Sequence, residues 1–157
     1  MTQSDEMSTN VPKKISKRGY AGRSAEQLMQ ERRQRLMDTA LELFGTVGYV
    51  PTTVEKICSH AKVTTRHFYE HFKDREALLM AIFDTILQET RQQVLAEIVM
   101  SDLPLEQRFV GAVNAFLTSH LDDPRRAKIT TQEILGVSQR VEAHRNVLIT
   151  EFALLIE

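Results

Sequence analysis

The chain has 157 residues, of which 42% are hydrophobic and 26% are charged, and this is the composition of one small globular unit or of two modules that share a core. No apolar run approaches the ~18 residues that cross a bilayer, and the polar N-terminus lacks the apolar segment of a signal peptide. These features argue against a membrane protein and predict a cytoplasmic one. The single cysteine, Cys58, excludes an internal disulfide and a cysteine-based metal cluster.

Charge is unevenly distributed along the chain, although the net charge is only −1. Residues 1–80 carry 13 Lys and Arg against 10 Asp and Glu, whereas residues 81–157 carry 7 against 11. A basic half joined to an acidic half is compatible with contact between the first half and a polyanion. A split of this size also arises by chance, so the charge pattern alone favours neither interpretation.

The hydrophobic periodicity predicts helices and no strand. Residues 1–24 are polar and basic and cannot bury enough apolar surface to fold alone, so we expect a disordered N-terminal arm that is either a solvated tail or a phosphate-binding arm. Beyond this arm, apolar residues recur at helical spacing in segments separated by capping residues, glycine or proline. The predicted helices cover residues 25–47, 54–61, 65–72, 75–100, 105–121 and 124–136, and a last one follows Ser138.

The turns between the first helices carry specific signals. Gly48 is predicted to end the first helix in a left-handed conformation. Thr52 or Thr53 caps the second helix, and Thr52 also has the spacing of a capping box. Lys62 makes the next tight turn, and Thr64 caps the third helix.

A short helix, a tight turn and a second short helix, supported by a longer first helix, form the skeleton of a DNA-reading module over residues 53–73. In such a module the second short helix enters the major groove with its N-terminus first, and Arg66 in its first turn can match the O6 and N7 atoms of guanine. Phe68 and Phe72 are predicted to face the core. The predicted interface comprises the base-reading candidates Thr65, Arg66 and His67, the helix cap Thr64, and the phosphate-binding candidates Tyr69, His71 and Lys73.

Residues 30–90 resemble the DNA-binding domain of the TetR (tetracycline-repressor) family of bacterial transcriptional regulators. The resemblance is carried by residues 32–49, by the string TTVEKI and above all by VTTRHFYEHFKDREALL. It implies that residues 65–72 form the recognition helix. The implied base contacts are Thr65, Arg66 and His67, and the implied phosphate contacts are Thr53, Tyr69, His71 and Lys73. Two positions depart from the family pattern: Lys62 stands where glycine is common, and Glu55 stands where many members have a basic residue.

The resemblance also implies a ligand-responsive repressor that binds a palindromic operator in double-stranded DNA as a homodimer. We therefore expect an all-α protein with a helix-turn-helix domain over residues 25–90 and a helical domain for inducer binding and dimerisation over residues 91–157. The second half has no nucleophile–base spacing, glycine-rich loop or carboxylate pair, so no enzyme activity, metal or cofactor is expected. Phe109, Phe116, Ile129, Ile134 and Leu135 line a ligand pocket or, the favoured interpretation, fill the core.

The last helix supplies the one dimer seam that the sequence suggests, formed by Val141, Leu148, Phe152 and Leu155. Because this helix is still amphipathic at Glu157, we expect the second domain to be incomplete at its C-terminus. Four apolar side chains contribute ~1.5–3 kcal/mol each when fully buried, against an association cost of about 4–15 kcal/mol. The expected dimer is weak.

Two other functions are compatible with parts of the sequence. The string HFYEH has the spacing of an inverted zincin, in which His67 and His71 would bind zinc and Glu70 would act as the base. This signal is weak, because the helix has only two turns and no third ligand is evident. Cys58 and His60 could form a redox or metal pair, but Cys58 lies on the inward face of the predicted helix, and packing is the favoured interpretation. The remaining alternative is a helical protein-interaction module without DNA binding.

Overall fold

The computed structural model describes residues 24–99 and 102–154, and every regular element within these ranges is helical. The predicted all-α fold class is confirmed. The predicted N-terminal arm lies outside the described residues, apart from Ser24. No helix in the described ranges is long and apolar enough to cross a membrane. The helices are α1 (Ala25–Thr46), α2 (Val54–Ala61), α3 (Thr65–His71), α4 (Arg75–Val99), α5 (Leu105–Leu121), α6 (Pro124–Lys128) and α7 (Gln139–Ala153), with a π-helical segment (Ile129–Glu133) after α6.

The two short helices begin at threonine caps. Thr53 Oγ1 accepts a hydrogen bond from Lys56 N at 3.2 Å, and Thr64 Oγ1 accepts one from the backbone of α3 at 3.3 Å. Thr52 is fully buried, and its hydroxyl donates to the Gly48 carbonyl at 2.7 Å. The capping box suggested for Thr52 is therefore wrong, because this hydroxyl closes the preceding turn and leaves the cap to Thr53.

Two residues with positive φ flank α2. Gly48 follows α1 with a φ of 108°, as predicted, and its N–H donates to the Leu43 carbonyl at 3.0 Å. Lys62 follows α2 with a φ of 54° and a ψ of 44°. This left-handed conformation is free of strain only for glycine, since a Cβ approaches the following carbonyl oxygen. Lys62 thus adopts the backbone conformation that the turn requires although its own side chain opposes it.

One continuous core joins the inward faces of α1 to α4 and the later helices. Phe68 and Phe72 are both buried in it, as predicted. Ile129, Ile134 and Val141, from the second half of the chain, belong to the same cluster of buried residues. Residue 90, at which we expect the DNA-binding domain to end, lies inside α4, so this helix contributes to both halves.

The sequence left two interpretations open for five residues, core packing or pocket lining, and the structure does not treat all five alike. Ile129 and Ile134 fill the core, as favoured. Phe116 lines a cavity between the later helices. Phe109 and Leu135 are 57% and 48% exposed, so core packing is wrong for these two.

The dimer seam suggested for α7 faces inward. Val141 is fully buried, Leu148 packs against the core, and the Phe152 ring lies 5.8 Å from the Phe116 ring. Leu155 lies outside the described residues. The suggestion is wrong for the first three residues because α7 packs along α4, which covers the apolar face within the chain.

The single helix predicted over residues 124–136 is divided into α6 and the π-helical segment. The N–H of Ile134 donates to the carbonyl of Ile129, five residues earlier, at 3.1 Å. The hydroxyls of Thr130 and Thr131 donate to the Ala127 carbonyl at 3.2 and 2.7 Å. These bonds compete with the regular helical ladder at the point where the helix widens.

Helix α6 crosses α1 at very close range above Gly45. A Cβ at this position would lie 2.4 Å from the Cβ and 2.8 Å from the Cα of Arg125. Only glycine permits this approach, because the opposing atoms belong to the backbone and to the base of a side chain. Arg125 then pairs with Glu42 of α1 at 2.5 Å and with Asp123 at 2.7 Å.

The strained turn gives a first prediction. Lys62→Gly is expected to raise the free energy of unfolding by about 0.5–1 kcal/mol, because the release of left-handed strain exceeds the extra freedom that glycine has in the unfolded chain. Urea denaturation followed by far-UV circular dichroism measures the change. Lys62→Ala is the control, since it removes the charge and keeps the Cβ, and it should bring no gain. Equal stabilisation by both variants would show that charge rather than backbone strain is relieved.

Candidate nucleic-acid interface

The first turn of α3 is directed to solvent. Thr64 and Thr65 are exposed, and the Arg66 side chain is 89% exposed. Arg66 Nε lies 3.7 Å from Glu70 Oε1, an exposed pair that contributes little and leaves the guanidinium free to exchange partners. His67 is half-buried, and its Nδ1 lies 3.0 Å from Thr64 Oγ1. The predicted base-reading residues are therefore presented at one accessible helix end.

The predicted phosphate-binding residues differ in exposure. Tyr69 is 55% exposed and shares the outer face of α3 with Thr65, and Lys73 is exposed just beyond the helix. Thr53 is exposed at the start of α2, where its oxygen accepts the capping bond and its hydroxyl donates to the Glu55 carboxylate, which helps to lower the pKa of Glu55. His71 is half-buried, and its Nε2 is shielded without a hydrogen-bond partner among the described residues.

His71 lies close to α1 rather than on the outer face of α3. Burial lowers the pKa of its imidazole, and although Glu70 opposes this effect, the positive charges of Arg33 and Arg32 on α1 lower the pKa further. A neutral imidazole binds a phosphate more weakly than a charged one. The surface that the structure assembles from the predicted set therefore centres on Thr65, Arg66 and Tyr69.

Arg75 is a positioning residue that sequence reasoning missed. Its guanidinium donates to the Tyr49 carbonyl at 3.1 Å, to the Val50 carbonyl at 3.3 Å and to the Thr52 carbonyl. Its central carbon, Cζ, also lies over the Tyr49 ring, 4.1 Å from the ring centroid. These contacts hold residues 47–53, here called the α1–α2 turn, against the start of α4. The sequence offered no signal for this role, because an arginine in the first turn of a helix normally faces solvent.

The α1–α2 turn is also held from the side of α6 and the π-helical segment. Glu133 Oε2 accepts a hydrogen bond from the Tyr49 N–H at 2.7 Å. Lys128 Nζ donates to the Thr46 carbonyl at 3.2 Å and pairs with Glu133 at 3.5 Å. The elements that follow α5 therefore contact the backbone that leads into α2.

A third link joins the first turns of α4 and α7. The Arg140 guanidinium reaches Asp74 at 2.7 Å and Glu76 at 2.8 Å. This hydrogen bond from Arg140 holds the pKa of Asp74 below its usual value. Asp74 also caps α4 by accepting from the Ala77 N–H at 2.7 Å, so a single carboxylate both begins α4 and anchors α7.

A cavity of about 570 Å³ lies between α4, α5, α6, the π-helical segment and α7. Its walls are mostly apolar, and Thr130, Thr131, His120 and Arg145 are the polar lining residues. The sequence did not predict where a ligand pocket would lie. Sequence analysis indicated only one of its lining residues, since it named Phe116 as a pocket or core residue.

Metal binding finds no support in the described part of the chain. No three His, Cys, Asp or Glu side chains are grouped there as a metal site requires. Cys58 is buried on the inner face of α2, and burial raises the pKa of its thiol. The HFYEH string of the zinc alternative therefore has no third ligand beside it in these ranges.

An exposed short helix that follows a tight turn, with both packed on a longer first helix, defines a helix-turn-helix protein. Residues 36–82 match the family model of the bacterial regulatory proteins of the tetR family. The HTH-type transcriptional regulator HbdR of Aromatoleum sp. (strain CIB) is 30% identical over 124 residues, which cover 79% of this chain and 52% of HbdR. The chain belongs to the TetR family, as the sequence resemblance implied.

Solved structures share the fold. The fatty acid degradation regulator FadR from Bacillus halodurans superimposes with a TM-score of 0.72 at 18% identity, covering 79% of this chain and 64% of that one. FadR from Bacillus subtilis, solved in complex with stearoyl-CoA, gives a TM-score of 0.70 at 18% identity and covers 78% of this chain and 65% of that one. The chain thus spans about half the length of HbdR and less than two thirds of either FadR chain.

The Arg75 contacts give a second prediction. Arg75→Met keeps an unbranched apolar side chain and removes both the donors to three carbonyls and the cation over the Tyr49 ring, so it should lower the free energy of unfolding by about 1–3 kcal/mol. Urea denaturation measures the loss. Arg35→Met, at an exposed position on α1, is the control and should change stability by no more than about 0.5 kcal/mol. If the two variants were equally stable, the carbonyl contacts of Arg75 would contribute nothing to the turn.

Proposed function

We propose that the chain is a transcriptional regulator that binds double-stranded operator DNA through α3. The observation that carries the proposal is the exposed first turn of α3, with Arg66 at its outer edge, in a chain of the TetR family. A helix presented in this way can enter the major groove with its N-terminus first. The proposed activity is binding without catalysis, in the cytoplasm, where the DNA is.

The proposed roles follow the exposure of each side chain. Arg66 reads guanine through its two-pronged donor geometry, and Thr65 and His67 contact neighbouring base edges. The phosphate contacts fix the position of the protein without reading sequence. They come from Thr53, Tyr69, His71 and Lys73, among which we expect His71 to contribute least because it is shielded and neutral, while Thr64 orients the helix end.

We further propose that two chains bind a palindromic operator as a homodimer. Two recognition helices must then lie about 34–36 Å apart, and a two-fold interface must fix that distance. The suggested seam on α7 faces inward, so the interface must lie elsewhere. Apolar side chains remain exposed along α5 and are candidates for burial on association: Phe109, Val110, Val113, Leu117 and Leu121.

Ligand-responsive repression is the third part of the proposal, and it divides the chain into a DNA-binding part over residues 25–90 and a regulatory part over residues 91–157. This part of the proposal is supported by the fact that the same elements, α6 and the π-helical segment, line the cavity and contact the α1–α2 turn. Thr130 and Thr131 line the cavity, while Lys128 and Glu133 bind the turn. A small molecule that displaces this wall would shift the backbone leading into the helix-turn-helix.

The third prediction concerns salt. If a dimer makes about 6–10 phosphate contacts, the logarithm of the DNA affinity should fall with the logarithm of salt concentration at a slope of roughly −5 to −9. Fluorescence anisotropy with a labelled duplex at several salt concentrations measures the slope. A slope near zero, or no binding at low salt, would disprove DNA binding and leave a helical interaction module as the better description.

The fourth prediction separates base reading from phosphate binding. Arg66→Ala should cost about 1–3 kcal/mol at one base pair of each half-site and relax the preference there. Tyr69→Phe should weaken binding to all sequences about equally, because a phosphate carries no sequence information. Selection from a randomised duplex library gives the operator and the preferences of both variants. A changed base preference in Tyr69→Phe, with none in Arg66→Ala, would reverse the two roles.

A further inference from the structure

The cavity of about 570 Å³ described above has mostly apolar walls and one charged lining side chain. Rings of Phe83, Phe116 and Phe152 and the side chain of Leu87 supply apolar wall. Arg145 is its one charged lining residue, and no Asp or Glu of the described ranges lines it. The volume of about 570 Å³ falls in the range of small-molecule pockets, which is roughly 300–1,000 Å³.

Arg145 has no carboxylate partner among the described residues, unlike the arginines at positions 125, 126 and 140. Arg125, Arg126 and Arg140 each reach a carboxylate within 2.8 Å. For Arg145, the structure gives only a contact of 3.3 Å from Nη1 to Asn146 Oδ1, and its Nε is buried without a hydrogen-bond partner among the described residues. A guanidinium cannot lose its charge in a protein, so one that lines an apolar cavity without a carboxylate partner favours an anion beside it.

His120 adds a second polar group to the same cavity. Its Nδ1 lies 3.1 Å from the Phe116 carbonyl and 2.9 Å from Ser119 Oγ, and its ring packs on the Phe116 ring with centroids 4.9 Å apart. These neighbours occupy Nδ1 and leave Nε2 as the ring atom for a ligand. Arg145 and His120 come from different helices, α7 and α5, so a ligand head between them would bridge two walls.

We propose that this cavity binds an amphipathic carboxylate, with its head on Arg145 and its hydrocarbon body among the phenylalanine rings. The chemistry selects this class because a neutral apolar molecule would leave the guanidinium unpaired, and a cation would be repelled by it. A small inorganic anion would leave the apolar walls unfilled. The inference rests on the proposed function, in which this molecule is the effector of the regulator.

Isothermal titration calorimetry of the 157-residue chain tests the ligand class without DNA. The probes are decanoate, 1-decanol and decyltrimethylammonium, which share a hydrocarbon chain and differ in the head. Decanoate should bind with one site per chain and about tenfold more tightly than decanol, the lower limit for a hydrogen bond to a charged group. Decyltrimethylammonium should bind most weakly.

Matched variants locate the site. Arg145→Met keeps an unbranched apolar stem and removes the charged guanidinium, and it should abolish the preference for decanoate over decanol. Arg145→Lys retains the charge and should retain most of the preference, which keeps the test decisive if the methionine variant fails to fold. Arg35→Met on α1 and Leu105→Ser at the exposed start of α5 are controls that should leave all three affinities unchanged.

The proposal would be overturned by equal affinity for decanoate and decanol, by an unchanged preference in Arg145→Met, or by no binding of any probe. Loss of binding in Leu105→Ser would also overturn it, because the probes would then occupy the outer surface of α5. A chain that discriminates the probes but binds no DNA would support the ligand site and disprove the proposed regulator. A chain that binds DNA but does not discriminate the probes would support the proposed regulator and disprove the ligand site.

Discussion

The backbone of the α1–α2 turn is held from two directions, and the placement of α2 and α3 depends on this. Arg75 binds three of its carbonyls from one side, and Glu133 binds the Tyr49 N–H from the other. Backbone groups between helices have no helical partner, so they must find a side chain or water. The two partners of Tyr49 lie 26 and 84 residues along the chain, which ties the entrance of the helix-turn-helix to both α4 and the π-helical segment.

The interface depends on this support because α3 has only 7 residues. A helix of two turns is not stable alone in water, so its position comes from what it packs against. Phe68 and Phe72 anchor it in the core, and Thr64 fixes its first turn. Arg66 therefore extends from a rigid base although its own side chain is exposed. That combination suits reading a groove, since a mobile helix would lose register on the bases.

Local signals were enough for most of the fold, whereas long-range contacts were not. Thr64 and Gly48 act on the backbone beside them, so the ends of the first helices were predicted to within one or two residues. The role of Arg75 and the place of Arg145 in the cavity wall could not be predicted, because a charged residue in a helix has the same local pattern whether it meets solvent or a distant partner. The seam on α7 was misplaced for a related reason: periodicity indicates which face of a helix is apolar and not what covers it.

The π-helical segment is a single wide turn that holds one residue more than an α-helical turn between the same two ends would. One residue corresponds to about 100° of rotation around a helix axis. In a relative that lacked this extra residue, the side chains after it would be turned by that angle with respect to α6. Glu133 would then point away from Tyr49 even though every residue type in the contact was retained. The proposed coupling between the cavity wall and the α1–α2 turn would thus be lost through a single insertion or deletion. Such a change alters the rotation of the helix without altering any side chain in the contact.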